Sequence, residues 1–94
     1  MKFEDVIMDY NEQLQGVQGI VKYGPYELSI VSHKYSYGGG NGLYEIGVFG
    51  EDGMAELPGI TYPGDTVKGY LTAAQVNAIM MKMMTITGES GKNV

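Results

Sequence analysis

From Val17 to Leu57 the sequence runs in short strand-like stretches joined by connections of hairpin length, which argues against parallel crossovers there and for antiparallel pairing. Val17–Tyr23 reads as a short, Gly-broken strand and Gly24-Pro25 as a turn. Tyr26–Tyr35 alternates, with Leu28 and Ile30 on one face and Ser29, Val31 and His33 on the other. Leu43–Gly50 reads as a third strand. Its Tyr44, Ile46 and Val48 share one face, and Leu43, Glu45, Gly47 and Phe49 share the other. Asp52-Gly53 is a two-residue hairpin signal that predicts Met54–Leu57 pairing back. Pro58-Gly59 and Pro63-Gly64 punctuate an irregular stretch that includes Ile60 and Tyr62, and Thr66–Tyr70 reads as a last short strand.

Helical periodicity appears at both ends. Phe3, Val6, Ile7, Tyr10 and Leu14 fall on one face of a helix over residues 3–15, with Glu4 and Asp5 in its first turn and Gly16 as its stop. Thr72-Ala73-Ala74-Gln75 fits a capping box, Val76, Ile79, Met80 and Met83 form a buried stripe, and Gly88 ends the second helix. The expected fold is therefore α+β: an antiparallel sheet of three to five strands with an N-terminal and a C-terminal helix packed on one face. Residues 1–88 form a single domain in this reading. Glu89–Val94, polar and small, is expected to be a disordered tail.

Composition removes whole classes of chemistry. The 94 residues contain no Cys and one His, which excludes disulfides and thiol nucleophiles and argues against a metal centre. The six basic residues are all Lys, against eleven Asp and Glu, for a net charge of −5. A chain without Arg or a basic run is a poor binder of nucleic acid, and its acidity favours a basic protein surface as partner. The same carboxylates can also serve solubility alone. No segment reaches the ~20 apolar residues of a membrane span, and two acids follow directly on Met1-Lys2-Phe3, so a soluble cytoplasmic protein is expected.

The most unusual stretch is Tyr35-Ser36-Tyr37-Gly38-Gly39-Gly40-Asn41-Gly42-Leu43-Tyr44. It fails as a phosphate cradle, because strands flank it on both sides and no Lys–Ser/Thr pair follows. Its composition matches that of binding loops, in which Tyr gives rigid contact area and Ser, Gly and Asn give adaptable hydrogen bonds; the plain alternative is a floppy hairpin. Eight Tyr with no Trp and two Phe is a skewed aromatic set. Tyr35, Tyr37, Tyr44, Tyr62 and Tyr70 lie in or beside loops, where some should be exposed. In Met80-Met81-Lys82-Met83-Met84, helical spacing makes Met80, Met83 and Met84 core and points Met81 outward. His33 beside Lys34 lacks a nucleophile to serve, and the pairs Glu4/Asp5 and Glu51/Asp52 are explained by a helix start and a turn. Neither a catalytic nor a metal-binding nor a cofactor-binding residue is expected, and no cofactor is.

In length, in its acidic first helix Glu4–Glu12, in its Tyr/Gly hairpin 35–44 and in its strand–helix finish, the chain resembles the small, acidic, cysteine-free α+β inhibitors that phages encode, anti-CRISPR proteins among them. The resemblance is one of composition and element order over the whole chain and carries no functional residue across. It implies a non-enzymatic interaction module that blocks a nucleic-acid-handling complex, such as a CRISPR effector, in the cytoplasm of a bacterial host. Tyr35, Tyr37, Asn41 and Tyr44 would anchor the partner, and Glu4, Asp5, Asp9, Glu12, Glu51 and Asp52 would meet its basic surface. Two other functions fit the sequence. One is a virion or assembly component, or a dimer formed through an open sheet edge. The other is a sponge for a small molecule or signal nucleotide.

Overall fold

The computed structural model describes residues 1–94. After a 3-10 turn at Phe3–Asp5 come β1 (Asp9–Asn11), β2 (Gly16–Tyr23), β3 (Tyr26–Ser32), β4 (Tyr44–Gly50), β5 (Gly53–Met54), β6 (Val67–Leu71), α1 (Ala73–Thr87) and β7 (Lys92–Asn93). The strands form one seven-stranded antiparallel sheet built on a β2–β3–β4 meander. Two short strands share each outer edge: β1 and β7 both pair with β2, and β5 and β6 both pair with β4. The alternation read from the sequence holds. Val21, Leu28 and Val48 align across one face, as do Ile30 and Ile46, and all five are fully buried.

One helix, not two, covers that face. In α1 the Thr72 hydroxyl accepts from Gln75 N and the Gln75 side chain accepts from Thr72 N, closing the capping box, while Gly88 ends the helix in the left-handed region. Val76, Ile79, Met80 and Met83 are its buried residues. No helix of the chain is long and apolar enough to cross a membrane.

The N-terminal helix expected over residues 3–15 is absent. A single 3-10 turn forms, and Ile7 and Tyr10 of the supposed apolar face are exposed. Two competing sets of hydrogen bonds account for this. Asn93 accepts from Ile7 N and donates to Asp5 O, taking backbone groups that a continuing helix needs for itself. The Asn11 side chain accepts from Leu14 N, and Gln15 sits at φ 54°, which folds residues 12–15 into a tight turn and starts a strand at Gly16. The tail also differs from expectation: within residues 89–94, Lys92 and Asn93 pair with Lys22 and Val21 as β7. The sheet thus exceeds the expected three to five strands because segments read as helix and tail supply its outer edge.

Tyr23 lies beneath that tail. It is fully buried, its hydroxyl has no hydrogen-bond partner, and burial pushes its pKa up from 10.0 to about 12. Gly91, at φ 89°, passes so close that a Cβ there would lie 2.8 Å from the ring. Tyr23→Phe removes an unsatisfied polar atom without changing the ring, and is expected to raise stability at neutral pH by about 1 kcal/mol. Because the folded pKa exceeds the unfolded one, the unfolded chain ionises first as pH rises. Stability should therefore fall between pH 10 and about 12 by about 1 kcal/mol per pH unit at most. Urea unfolding of both proteins at pH 8 and pH 11 measures this; the Phe variant should lose less stability between the two.

Candidate functional site

One end of the sheet gathers the turn 12–15, the β3–β4 connection 33–43 and the strand-end pair Gly69-Tyr70. Lys34 N donates to Leu14 O, joining the first two, and Tyr70 N donates to Tyr37 O, joining the last two. The Gly-rich connection is internally hydrogen-bonded. Buried Ser36 is its hub: the hydroxyl accepts from His33 N and donates to His33 O at 2.9 Å. Gly39 N donates to Ser36 O, and both Asn41 N and Leu43 N donate to Gly38 O. Gly38 and Gly42 sit at φ 91° and 74°, a region that side chains other than Gly enter at a cost. His33 contributes to the same shape, since its Nδ1 accepts from Tyr35 N.

Four tyrosines emerge around this frame. Tyr35, Tyr37, Tyr62 and Tyr70 are 68%, 55%, 40% and 59% exposed. Tyr37 and Tyr70 are stacked, with ring centroids 6.3 Å apart and planes 19° from parallel. Their backbones are joined by the Tyr70 N to Tyr37 O bond, and Tyr37 N donates in turn to the Glu45 carboxylate at 3.3 Å. Buried Gly69 makes the approach possible, because a Cβ there would collide with that of Tyr37. The Tyr62 hydroxyl donates to Gly69 O. The Lys34 ammonium lies 4.9 Å from the Tyr35 ring centroid.

Tyr70 holds a left-handed backbone, φ 57°, beside the register shift between β4 and β6. In a residue with a Cβ this conformation costs on the order of 1–2 kcal/mol. The bulge re-aims the side chain, so Tyr70 points outward between buried Gly69 and buried Leu71.

The other residues expected at a contact surface scatter. Asn41 is exposed in the same loop and Glu12 in the adjoining turn. Tyr44 packs on the core side, edge-on to Phe3 at 5.0 Å, and stands apart from the exposed rings. Glu4 and Asp5 lie in the 3-10 turn, where the Asp5 carboxylate accepts from Lys2 N, and Asp9 lies on the edge strand β1. Glu51 and Asp52 form the β4–β5 turn, a strand length of about 20 Å from the tyrosines. The structure brings Tyr62, Tyr70 and Glu45 beside Tyr35 and Tyr37, although none of the three is among the anchors or acidic contacts expected from the sequence. For Tyr62 and Tyr70 the available signal was their position beside loops.

No family model matches the sequence, no curated protein resembles it significantly in sequence, and no solved structure matches it significantly in fold.

Proposed function

We propose that this chain is a non-enzymatic protein-binding module that grips a partner with the tyrosine ledge Tyr35–Tyr37–Tyr62–Tyr70. The partner would be a basic, nucleic-acid-handling surface of a host complex, a CRISPR effector among the candidates, and the outcome a stoichiometric block by a phage or mobile-element inhibitor. The observation that supports this most is the stacked Tyr37–Tyr70 pair, fixed backbone to backbone and yet more than half exposed. Rigid, amphipathic rings presented from a frame already hydrogen-bonded lose little entropy on binding, which is the property of a binding hot spot. Glu12 and Glu45 outnumber Lys34 at the same end, and with a net charge of −5 on the whole chain this favours a cationic partner and speeds its encounter.

The test compares wild type with Tyr37→Ala and Tyr70→Ala as immobilised baits for lysates of CRISPR-bearing bacteria, followed by affinity measurement on whatever complex is retained. Each alanine is expected to weaken binding by about 2 kcal/mol, roughly thirtyfold, with the fold intact. Glu51→Lys with Asp52→Lys, at the far end of the sheet, should change affinity much less. Equal affinity of wild type and both tyrosine variants would remove the ledge from the mechanism. Self-association through a sheet edge finds less support, because β1, β5 and β7 are only two or three residues long and Val67 O already accepts from Tyr62 N.

A further inference from the structure

Three of the four asparagines have their side chains tied down. Asn11 accepts from Leu14 N, Asn77 accepts from Phe3 N, and Asn93 accepts from Ile7 N while donating to Asp5 O. Asn41 differs: it is exposed, and only its backbone N–H is engaged, donating to Gly38 O. It is also the one asparagine followed by glycine, since Glu12, Ala78 and Val94 follow the others. The loop tip around it is open. A Cβ added at Gly40 or at Gly42 would meet nothing within 4 Å, and the Gly42 amide is held by one bond, to Gly39 O at 3.1 Å.

We infer that Asn41-Gly42 is a site of spontaneous deamidation in the folded protein. The Gly42 amide nitrogen attacks Asn41 Cγ and forms a new C–N bond. Its proton passes to the side-chain nitrogen, which leaves as ammonia, and a five-membered succinimide ring is closed. Water then opens the ring at either carbonyl. Opening at the former side-chain carbonyl gives aspartate, and opening at the backbone carbonyl gives isoaspartate, in which the main chain runs through Cβ and Cγ. The sum is amide plus water to carboxylic acid plus ammonia, with no oxidant and no enzyme.

Two features single out this position. The attacking nitrogen belongs to a residue without a side chain, so nothing crowds its approach to Cγ. The attack also needs the 41–42 peptide to turn, which breaks the Gly42 N to Gly39 O bond, and the open space around the tip lets it do so. Loss of one exposed backbone bond slows the reaction by only about fivefold relative to the unfolded chain. Either product adds a negative charge to the net −5, in the loop that carries Tyr35 and Tyr37, and isoaspartate lengthens its backbone by one carbon. The reaction does not require the tyrosine ledge to bind a partner.

The test incubates the full chain at 37 °C and pH 8, both native and unfolded in guanidinium chloride, and follows mass by peptide mapping. The peptide containing Asn41 should gain about 1 Da before any other, at a native rate within about tenfold of the unfolded one. Isoaspartate should appear in that peptide alongside aspartate, identified by electron-transfer fragmentation. Asn41→Gln, at an exposed position, should abolish the gain there. Asp52-Gly53 can isomerise through the same ring but without a change of mass, so the mass gain separates the two sites. A gain that arises first at Asn11, Asn77 or Asn93 overturns the inference. So does a native rate more than about tenfold below the unfolded one, or aspartate formed without isoaspartate.

Discussion

Gly39→Ala should cost about 3 kcal/mol or more, whereas Gly40→Ala, one residue later, should be neutral or stabilise by up to about 1 kcal/mol. Both lie in the same 3-10 turn at Gly39–Asn41. At Gly39 an added Cβ would collide with the His33 carbonyl oxygen and the Ser36 hydroxyl, the groups that close the loop on itself. Backbone cannot move aside as the end of a flexible side chain can, so the loop must reopen. At Gly40 an added Cβ meets nothing within 4 Å and φ is not positive, so only the loss of freedom in the unfolded chain remains. Thermal or urea unfolding measures the difference. The same pair separates the two readings of the Tyr/Gly stretch: a floppy hairpin would absorb both substitutions equally, while a pre-organised frame distinguishes them sharply. Partner affinity should follow stability only at Gly39, since the turn positions Tyr37 through Ser36 and Gly38.

Met80→Ala should cost about 2–5 kcal/mol, a fall in Tm of roughly 10–30 °C for a domain of this size. Met80 is fully buried in the middle of the stripe by which α1 contacts the sheet. With one helix covering the core rather than two, no second helix can slide in to close the cavity. Met81→Ala is the matched control. It makes the same change of side chain at an exposed position and should fall within about 0.5 kcal/mol. Chemical denaturation of the two variants side by side gives the comparison.

The parts of the fold that were legible in the sequence are those where one local signal decides the structure. α1 has its capping box, stripe and stop within a single short segment, Thr72 to Gly88, and β3 and β4 place Leu28 with Ile30 and Ile46 with Val48 two residues apart on one buried face. Residues 3–15 satisfied helical spacing just as well, yet a turn built by Asn11 and Gln15 and bonds from Asn93, at the far end of the chain, outcompete it. Periodicity in one segment carries no information about such a distant competitor. The site shows the same division. Loop composition marks Tyr35, Tyr37 and Asn41 as exposed, and all three are. Tyr44 fits the anchor composition of the loop, but its alternation with Ile46 and Val48 puts it on the core face, where it is found. Tyr70 lies beside a loop, which allows exposure, but its stacking on Tyr37 rests on a left-handed backbone at a bulge that no tyrosine announces.

The bonds that displaced the first helix also hold the two ends of the chain together. Met1 donates its ammonium to Ser90 O, and Asn93 bridges to Asp5 and Ile7. A peptide linker from residue 94 back to residue 1, with new ends opened in the exposed Glu51-Asp52 turn, would leave every strand pairing in place. Such a rearranged chain would carry its fusion partners about a strand length from the tyrosines, at the end of the sheet remote from the ledge.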